Sequence, residues 1–156
     1  MGVVVRSLEP HEWRTYRAVR LAALQDSPHA YCGSYAQSAE YPEQLWRDWC
    51  TATSWFAFLD EDPVGMVRIN PEAKEGVPEM LSMWVAPRAR GTSVSTELVD
   101  AAVVWTWSSG GSGLHLHVME DNVRARRFYA RLNFVPTARH ELPDGRYLLE
   151  MTRNLA

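Results

Sequence analysis

A length of 156 residues matches one ordinary domain, and 46% hydrophobic with 22% charged residues is usual for a folded soluble protein, which excludes a disordered tail or a collagen-like chain. Lys+Arg 16 against Asp+Glu 19 leave a net charge of −3, so no strong positive field is available to drive non-specific nucleic-acid binding. Two cysteines, Cys32 and Cys50, without CxxC or Cys/His ligand spacing, predict neither a disulfide framework nor a zinc site and fit a reducing cytoplasm.

Residues 1–8 are apolar but short and broken by Arg6, so no signal peptide is expected. Val3, Val4 and Val5, followed by Ser7 and Leu8, predict an opening strand rich in β-branched side chains. After Pro10 a helix is expected over 11–25, with Trp13, Tyr16, Val19 and Ala23 forming one apolar stripe and Asp26, Ser27 and Pro28 ending it. Residues 30–39 read as an irregular excursion. Pro42 suits the first turn of a second helix over 43–51, with Leu45, Trp46 and Trp49 inward. Strands over 55–59 and 64–69 flank a turn, Asp60-Glu61-Asp62-Pro63, and a third apolar run over 80–85 makes an antiparallel meander.

A basic turn, 88–91, opens a helix over 93–108, with Val94, Leu98, Ala101, Ala102 and Trp105 on one face. The longest apolar stretch, 98–107, contains Asp100 and is too short to span a bilayer. Gly110, Gly111 and Gly113 break that helix. Leu114, Leu116 and Val118 then alternate with His115, His117 and Met119, which predicts a strand. A helix over 122–132 carries Ala125, Phe128, Tyr129 and Leu132 at helical spacing, and a last hairpin over 134–142 and 146–151 turns at Pro143-Asp144-Gly145. No repeat or linker interrupts the chain, so residues 1–156 are expected to form a single domain.

Two segments carry chemistry. A strand that enters a basic turn at a helix N-terminus makes an anion site, because free backbone N–H groups and the positive end of the helix dipole point at the ligand. Here Arg88 and Arg90 add charge and Gly91 permits the bend; the alternative is a solvated connection. In the second segment Asn122 stands at a strand-to-helix junction, with Tyr129 nearly two turns further on and on the same side. Asn122 as a helix cap and Tyr129 as a core aromatic is the plain structural alternative. His115 and His117 share a strand face, but no third ligand stands near them in the sequence, so no metal is expected.

Together the segments resemble the GCN5-related N-acetyltransferase (GNAT) superfamily. Met83-Trp84-Val85-Ala86-Pro87-Arg88-Ala89-Arg90-Gly91 is similar to the motif in which a strand enters the CoA-pyrophosphate loop. The run Asn122-x-x-Ala125-x-x-x-Tyr129-x-x-Leu132-x-Phe134 is similar to the superfamily's second block. Leu21 to Pro28 resembles the first helix of many bacterial members, and the turn Leu142-Pro143-Asp144-Gly145 resembles their last hairpin. The match spans essentially the whole chain. One departure stands out: the loop reads Arg90-Gly91-Thr92-Ser93-Val94-Ser95, with serine at both positions where the family carries a small residue, usually glycine or alanine.

The resemblance implies an α/β (α+β) fold: a mixed, mostly antiparallel seven-stranded sheet with about four helices, strands 4 and 5 splayed to hold CoA. It implies acetyl-CoA as cosubstrate, direct attack by a primary amine on the thioester, and no metal. Backbone groups at Trp84 and Val85 would pair with the pantetheine arm. The N–H groups of Gly91, Thr92, Ser93, Val94 and Ser95 would hold the pyrophosphate with Arg90 assisting, Asn122 would bond the pantetheine, and Arg127 or Arg131 would meet the 3′-phosphate. Tyr129 would protonate the departing thiolate. Glu79 is the first choice of base, sharing a strand face with Leu81, Met83 and Val85; His117 is the second.

The acceptor pocket is expected among Tyr31, Tyr35, Trp46 and Trp49 with Glu40, Glu43 and Asp48, a set suited to a cationic amine on a small molecule or peptide. The alternative places the tryptophans in the core and the acids at the surface. A cytoplasmic enzyme, dimeric by default, with no nucleic-acid or membrane partner is the expectation. The competing reading is a GNAT-like module that binds acyl-CoA or an amine through a degraded loop without catalysis.

Overall fold

The computed structural model describes residues 2–28 and 34–155. Seven strands lie in one sheet in the order β1-β2-β3-β4-β5-β7-β6. They are β1 (Val3–Arg6), β2 (Ser54–Leu59), β3 (Asp62–Asn70), β4 (Glu79–Val85), β5 (Gly113–Met119), β6 (Val135–Glu141) and β7 (Tyr147–Asn154). Among the described residues five α-helices accompany them: α1 (Trp13–Asp26), α2 (Tyr35–Ala39), α3 (Glu43–Trp49), α4 (Val94–Ser108) and α5 (Val123–Arg131). The expected α/β sheet is present. The parallel ladder between β4 and β5 consists of one pair, Glu79 opposite His115.

One helix was not anticipated. Residues 35–39, expected to be irregular, form α2, because Ser34 Oγ accepts from Gln37 N at 3.1 Å and supplies an N-cap. The reading at 30–33, which includes Tyr31 and Cys32, lies outside the described residues. Cys50 is buried, and that burial pushes its thiol pKa up.

The described residues group into two compact units, each with its own core. The first comprises Met1–Ile69 and Ser82–Ala102. There β1 pairs antiparallel with β2, and β2 with β3 through the turn at Asp60, whose φ is 56°. Tyr16 of α1 and Trp46 of α3 bury themselves beside Phe56 of β2: Tyr16 meets Phe56 edge-on at 5.0 Å and Trp46 at 5.9 Å. Truncating either fully buried ring, Trp46 or Phe56, would cost about 3–5 kcal/mol. Gly65 on β3 is required by close approach, since a Cβ there would stand 2.8 Å from the Trp84 carbonyl oxygen and 3.0 Å from Leu98.

The second unit comprises Asn70–Leu81 and Val103–Ala156. Its centre is β7, antiparallel to β5 on one side and to β6 on the other. Leu114, Leu116 and Met151 are buried from the strands, and Phe134 packs on Tyr129 of α5 at 5.8 Å. In β5 the predicted alternation seats Leu114, Leu116 and Val118 in the core, but His115 is buried too, at 2% exposure. Its Nδ1 lies 3.0 Å from the Val77 carbonyl, which satisfies the ring where water cannot.

Candidate active site

Two separate sets of residues, one in each unit, hold the groups singled out from the sequence. The first is the turn ahead of α4. Pro87–Ala89 forms a short 3-10 helix, Gly91 adopts φ 78°, and α4 begins at Val94. Among the described residues the amides of Gly91, Thr92, Ser93 and Ser95 meet no acceptor, whereas Val94 N has only a long bond, 3.4 Å, to Thr92 Oγ1. Thr92 Oγ1 itself donates to Ala89 O at 2.5 Å. Ser93, one of the two unexpected serines, turns its hydroxyl onto Glu97 Oε2 at 2.6 Å. The consecutive N–H groups therefore stay open. Glu97 places a negative charge in the first turn of the same helix, which opposes an anion there.

Arg90 has a different place from the one expected. Its Nη2 pairs with Asp26 Oδ2 at 2.5 Å and its Nε donates to Val85 O at 3.0 Å. Asp26 Oδ2 also accepts from Trp84 Nε1 at 3.0 Å and from Ser27 Oγ at 2.9 Å. The bond from Trp84, then those from Arg90 and Ser27, hold the Asp26 carboxyl below its ordinary value. Trp84 and Val85 are both buried, at 7% each. The strand leading into this turn is not regular: Ser82 has φ 57°, a left-handed conformation rare outside glycine. The irregularity disrupts strict alternation. Trp84, Val85 and Ala86 are buried in succession, so Glu79 does not share one uninterrupted face with Leu81, Met83 and Val85.

The second set is centred on His117 of β5. The two candidate bases bond to each other: His117 Nδ1 lies 2.9 Å from Glu79 Oε2. The other ring nitrogen lies 3.5 Å from Glu150 Oε1 on β7, because the antiparallel register sets Glu150 opposite His117. Lys74 Nζ binds that same Glu150 oxygen at 2.8 Å and Thr137 Oγ1 lies 3.2 Å from its other one. Lys74 chiefly keeps the Glu150 carboxyl below its ordinary value. The premise that the histidines lack a third ligand is corrected here. Glu79 with His115 and His117, and His117 with His140 and Glu150, each bring ligand atoms within 4.8 Å. The Lys74 ammonium supplies the cationic partner that Glu150 needs.

On the α5 side, Asn122 Oδ1 accepts from Ala125 N at 3.2 Å, so the capping role is real, and Nδ2 keeps its donors. Tyr129 is buried at 9% exposure. Arg127 and Arg131 are exposed on α5, Arg131 lying 6.0 Å from the Phe128 ring.

The Acetyltransferase (GNAT) family profile matches residues 11–134. The chain belongs to that family. The GNAT assignment extends to relatives. The chain is 30% identical over 120 residues to the peptidyl-lysine N-acetyltransferase YjaB of Salmonella typhimurium, covering 76% of this chain and 74% of that protein. Among solved structures, a GNAT-family acetyltransferase of Streptococcus pneumoniae superposes with a TM-score of 0.84 at 16% identity over 99% of this chain and 100% of its own. The Salmonella typhimurium yncA structure with its cofactor acetyl-CoA superposes with a TM-score of 0.79 at 13% identity, over 100% and 95%. This GNAT member is an acetyltransferase that shares its relatives' fold.

Several residues of these two sets escaped sequence reading. In the sequence Asp26 reads only as a helix stop, and Glu150 only as part of the last hairpin. The period-two pattern of β5 and β7 places both strands' outward residues on one face, but their pairing depends on register, which no single strand reveals. Lys74 sits in a loop with no periodic signal at all.

Proposed function

We propose that the chain moves the acetyl group of acetyl-CoA to a primary amine by direct attack, with Glu79 and His117 working as one basic pair. The observation that carries the reading is the 2.9 Å bond between them. The acceptor ammonium passes a proton to this pair and the freed lone pair attacks the thioester carbonyl. The C–S bond then breaks, the CoA thiolate takes the Tyr129 phenolic proton, and the proton still held by the new amide nitrogen restores the phenol. Coupling a carboxylate to an imidazole lets the accepted proton be shared, and Glu150, anchored by Lys74, steadies the far side of the ring.

A diphosphate fits the turn before α4. The open amides of Gly91, Thr92, Ser93 and Ser95 support that fit, and the Ser93 hydroxymethyl is turned toward Glu97 instead of the amides. Arg90, bound to Asp26 and Val85, serves this site by holding the turn rather than by reaching the ligand. Asn122 Nδ2 is suited to the pantetheine and the exposed Arg127 to the 3′-phosphate. In this reading the whole chain works as one acyltransferase domain, supported by a family match that crosses both units. A lysine side chain, as the name of the Salmonella relative indicates for that protein, is one acceptor to assay; a small amine is the other. A homodimer would cover the exposed Val104 and Trp107 of α4. No helix among the described residues is long and apolar enough to cross a membrane.

Calorimetric titration with acetyl-CoA, followed by thiol release across a panel of amines, tests the reading. Micromolar binding and amine-dependent release are expected. Tyr129→Phe should lower kcat about tenfold with acetyl-CoA affinity unchanged. Absence of acetyl-CoA binding removes the proposal.

A further inference from the structure

The cavity in the first unit has a chemistry that the sequence did not anticipate. Tyr16 and Arg20 of α1, Tyr41, Trp46 and Trp49 of the α3 region, Arg68 of β3 and Ser82 of β4 line a space of about 150 Å³. Trp46 and Trp49 stand edge-on at 5.1 Å, and Tyr41 meets Trp49 edge-on at 5.6 Å. A cavity of that volume admits a benzene-sized group.

The expected partners of these aromatics are elsewhere. Glu43 pairs with Arg47 at 2.7 Å, Asp48 accepts from Gln44 at 2.9 Å, and Glu40 is exposed. Among the described residues no Asp or Glu lines the cavity. Arg68 Nε donates to Ser82 Oγ at 3.3 Å, and among the described residues no carboxylate pairs with Arg68. The two guanidinium groups both act on the Tyr16 phenol, where they oppose the upward push of burial. Ser82 holds its hydroxyl toward Arg68 from the left-handed backbone position already noted, a conformation that persists only where the surroundings impose it and that clusters at functional sites.

The Arg68 guanidinium, with the positive charge of Arg20 beside it on the Tyr16 phenol, disfavours a cationic amine in this aromatic-walled recess. Arg68 suits a carboxylate, whose oxygens match the guanidinium fork. We propose that this cavity binds the carboxylate and apolar body of the acceptor, so that the substrate is a small amine that also carries a carboxylate and a ring-sized side chain, as an aromatic amino acid does. This rests on the acetyltransferase reading above. The charge of the cavity thus reverses the cationic preference expected from its aromatic residues alone.

The first measurement needs no variant and no turnover. Calorimetric titration of the full chain with 3-phenylpropanoate, which has ring and carboxylate but no amine, is compared with neutral 3-phenylpropanamide. The acid should bind at least about tenfold more tightly, with affinity falling as salt rises. Arg68→Met should erase that difference and leave acetyl-CoA affinity as it was, while Arg68→Lys should retain part of it. In the thiol-release assay phenylalanine should exceed phenylalaninamide about tenfold in kcat/KM, chiefly through KM, and Arg68→Met should equalise them. Equal binding of acid and amide, or a preference that survives Arg68→Met, overturns the proposal while amine-dependent thiol release would leave the acetyltransferase reading standing. Acid binding without thiol release from any amine overturns that reading and the acceptor role with it.

Discussion

The turn before α4 and the face of β5 around His117 handle charge in opposite ways. In the turn the side chains are used up within the protein: Arg90 on Asp26 and Val85, Ser93 on Glu97, Thr92 on Ala89. What remains open is backbone N–H. Around His117 the backbone is consumed by the ladders of β5 and β7, and the side chains are what converge, from Glu79, His117, Glu150 and Lys74. The proposed anion site would tolerate serine for glycine, because its donors belong to no side chain. The proposed proton-handling site would tolerate little, because every member is a named functional group.

The sharpest break of this contrast is on the β5 side. Glu79→Gln should lower kcat on the order of a hundredfold with the KM for acetyl-CoA nearly unchanged, measured by thiol release over a pH series. His117→Gln should do the same, and the double variant should add little to either single one, since the two act as a pair. Independent, additive losses would show that the hydrogen bond is structural.

The backbone side is broken through packing. Gly65→Ala would force a methyl group to within 2.8 Å of the Trp84 carbonyl, and should cost about 1–3 kcal/mol in denaturant unfolding. A smaller effect is expected at the Asp26 lock. The folded carboxyl is depressed, so its contribution is present above the unfolded value of about 3.9 and is lost as pH falls through the lower folded value. Asp26→Asn should therefore reduce stability at pH 7 by about 0.5–1 kcal/mol, discounted for the solvent around Arg90. The gap should close in thermal unfolding once the pH lies below the depressed folded value. A gap that persists there would trace to the lost bond geometry instead of charge.

The smallest change is a gain. Glu97→Gln removes the negative charge from the first turn of α4, and should tighten CoA binding about two- to threefold at low salt, with the advantage fading as ionic strength rises. Unaltered affinity would place the diphosphate away from that turn.

Much of this protein is written in short stretches of chain. The opening strand, α1, the α3 helix, the β2–β3 hairpin, α5 and the last hairpin follow from local periodicity and turn residues, and the turn before α4 follows from neighbours in sequence. Asn122 was legible as a cap because capping joins residues three apart. Helix α2 was missed because five residues are too few for periodicity to speak.

Tertiary structure alone decided the rest. The pairing of Glu79 with His117, separated by 38 residues, and of Lys74 with Glu150, separated by 76, depends on strand order and register. Arg90 reaches Asp26 across 64 residues, and Arg68 enters the aromatic cavity through a strand whose own pattern says nothing of helices α1 and α3. Secondary structure is set by energies between near neighbours. A site's charge is set by whichever distant side chains the fold makes adjacent, and that adjacency is a property of packing.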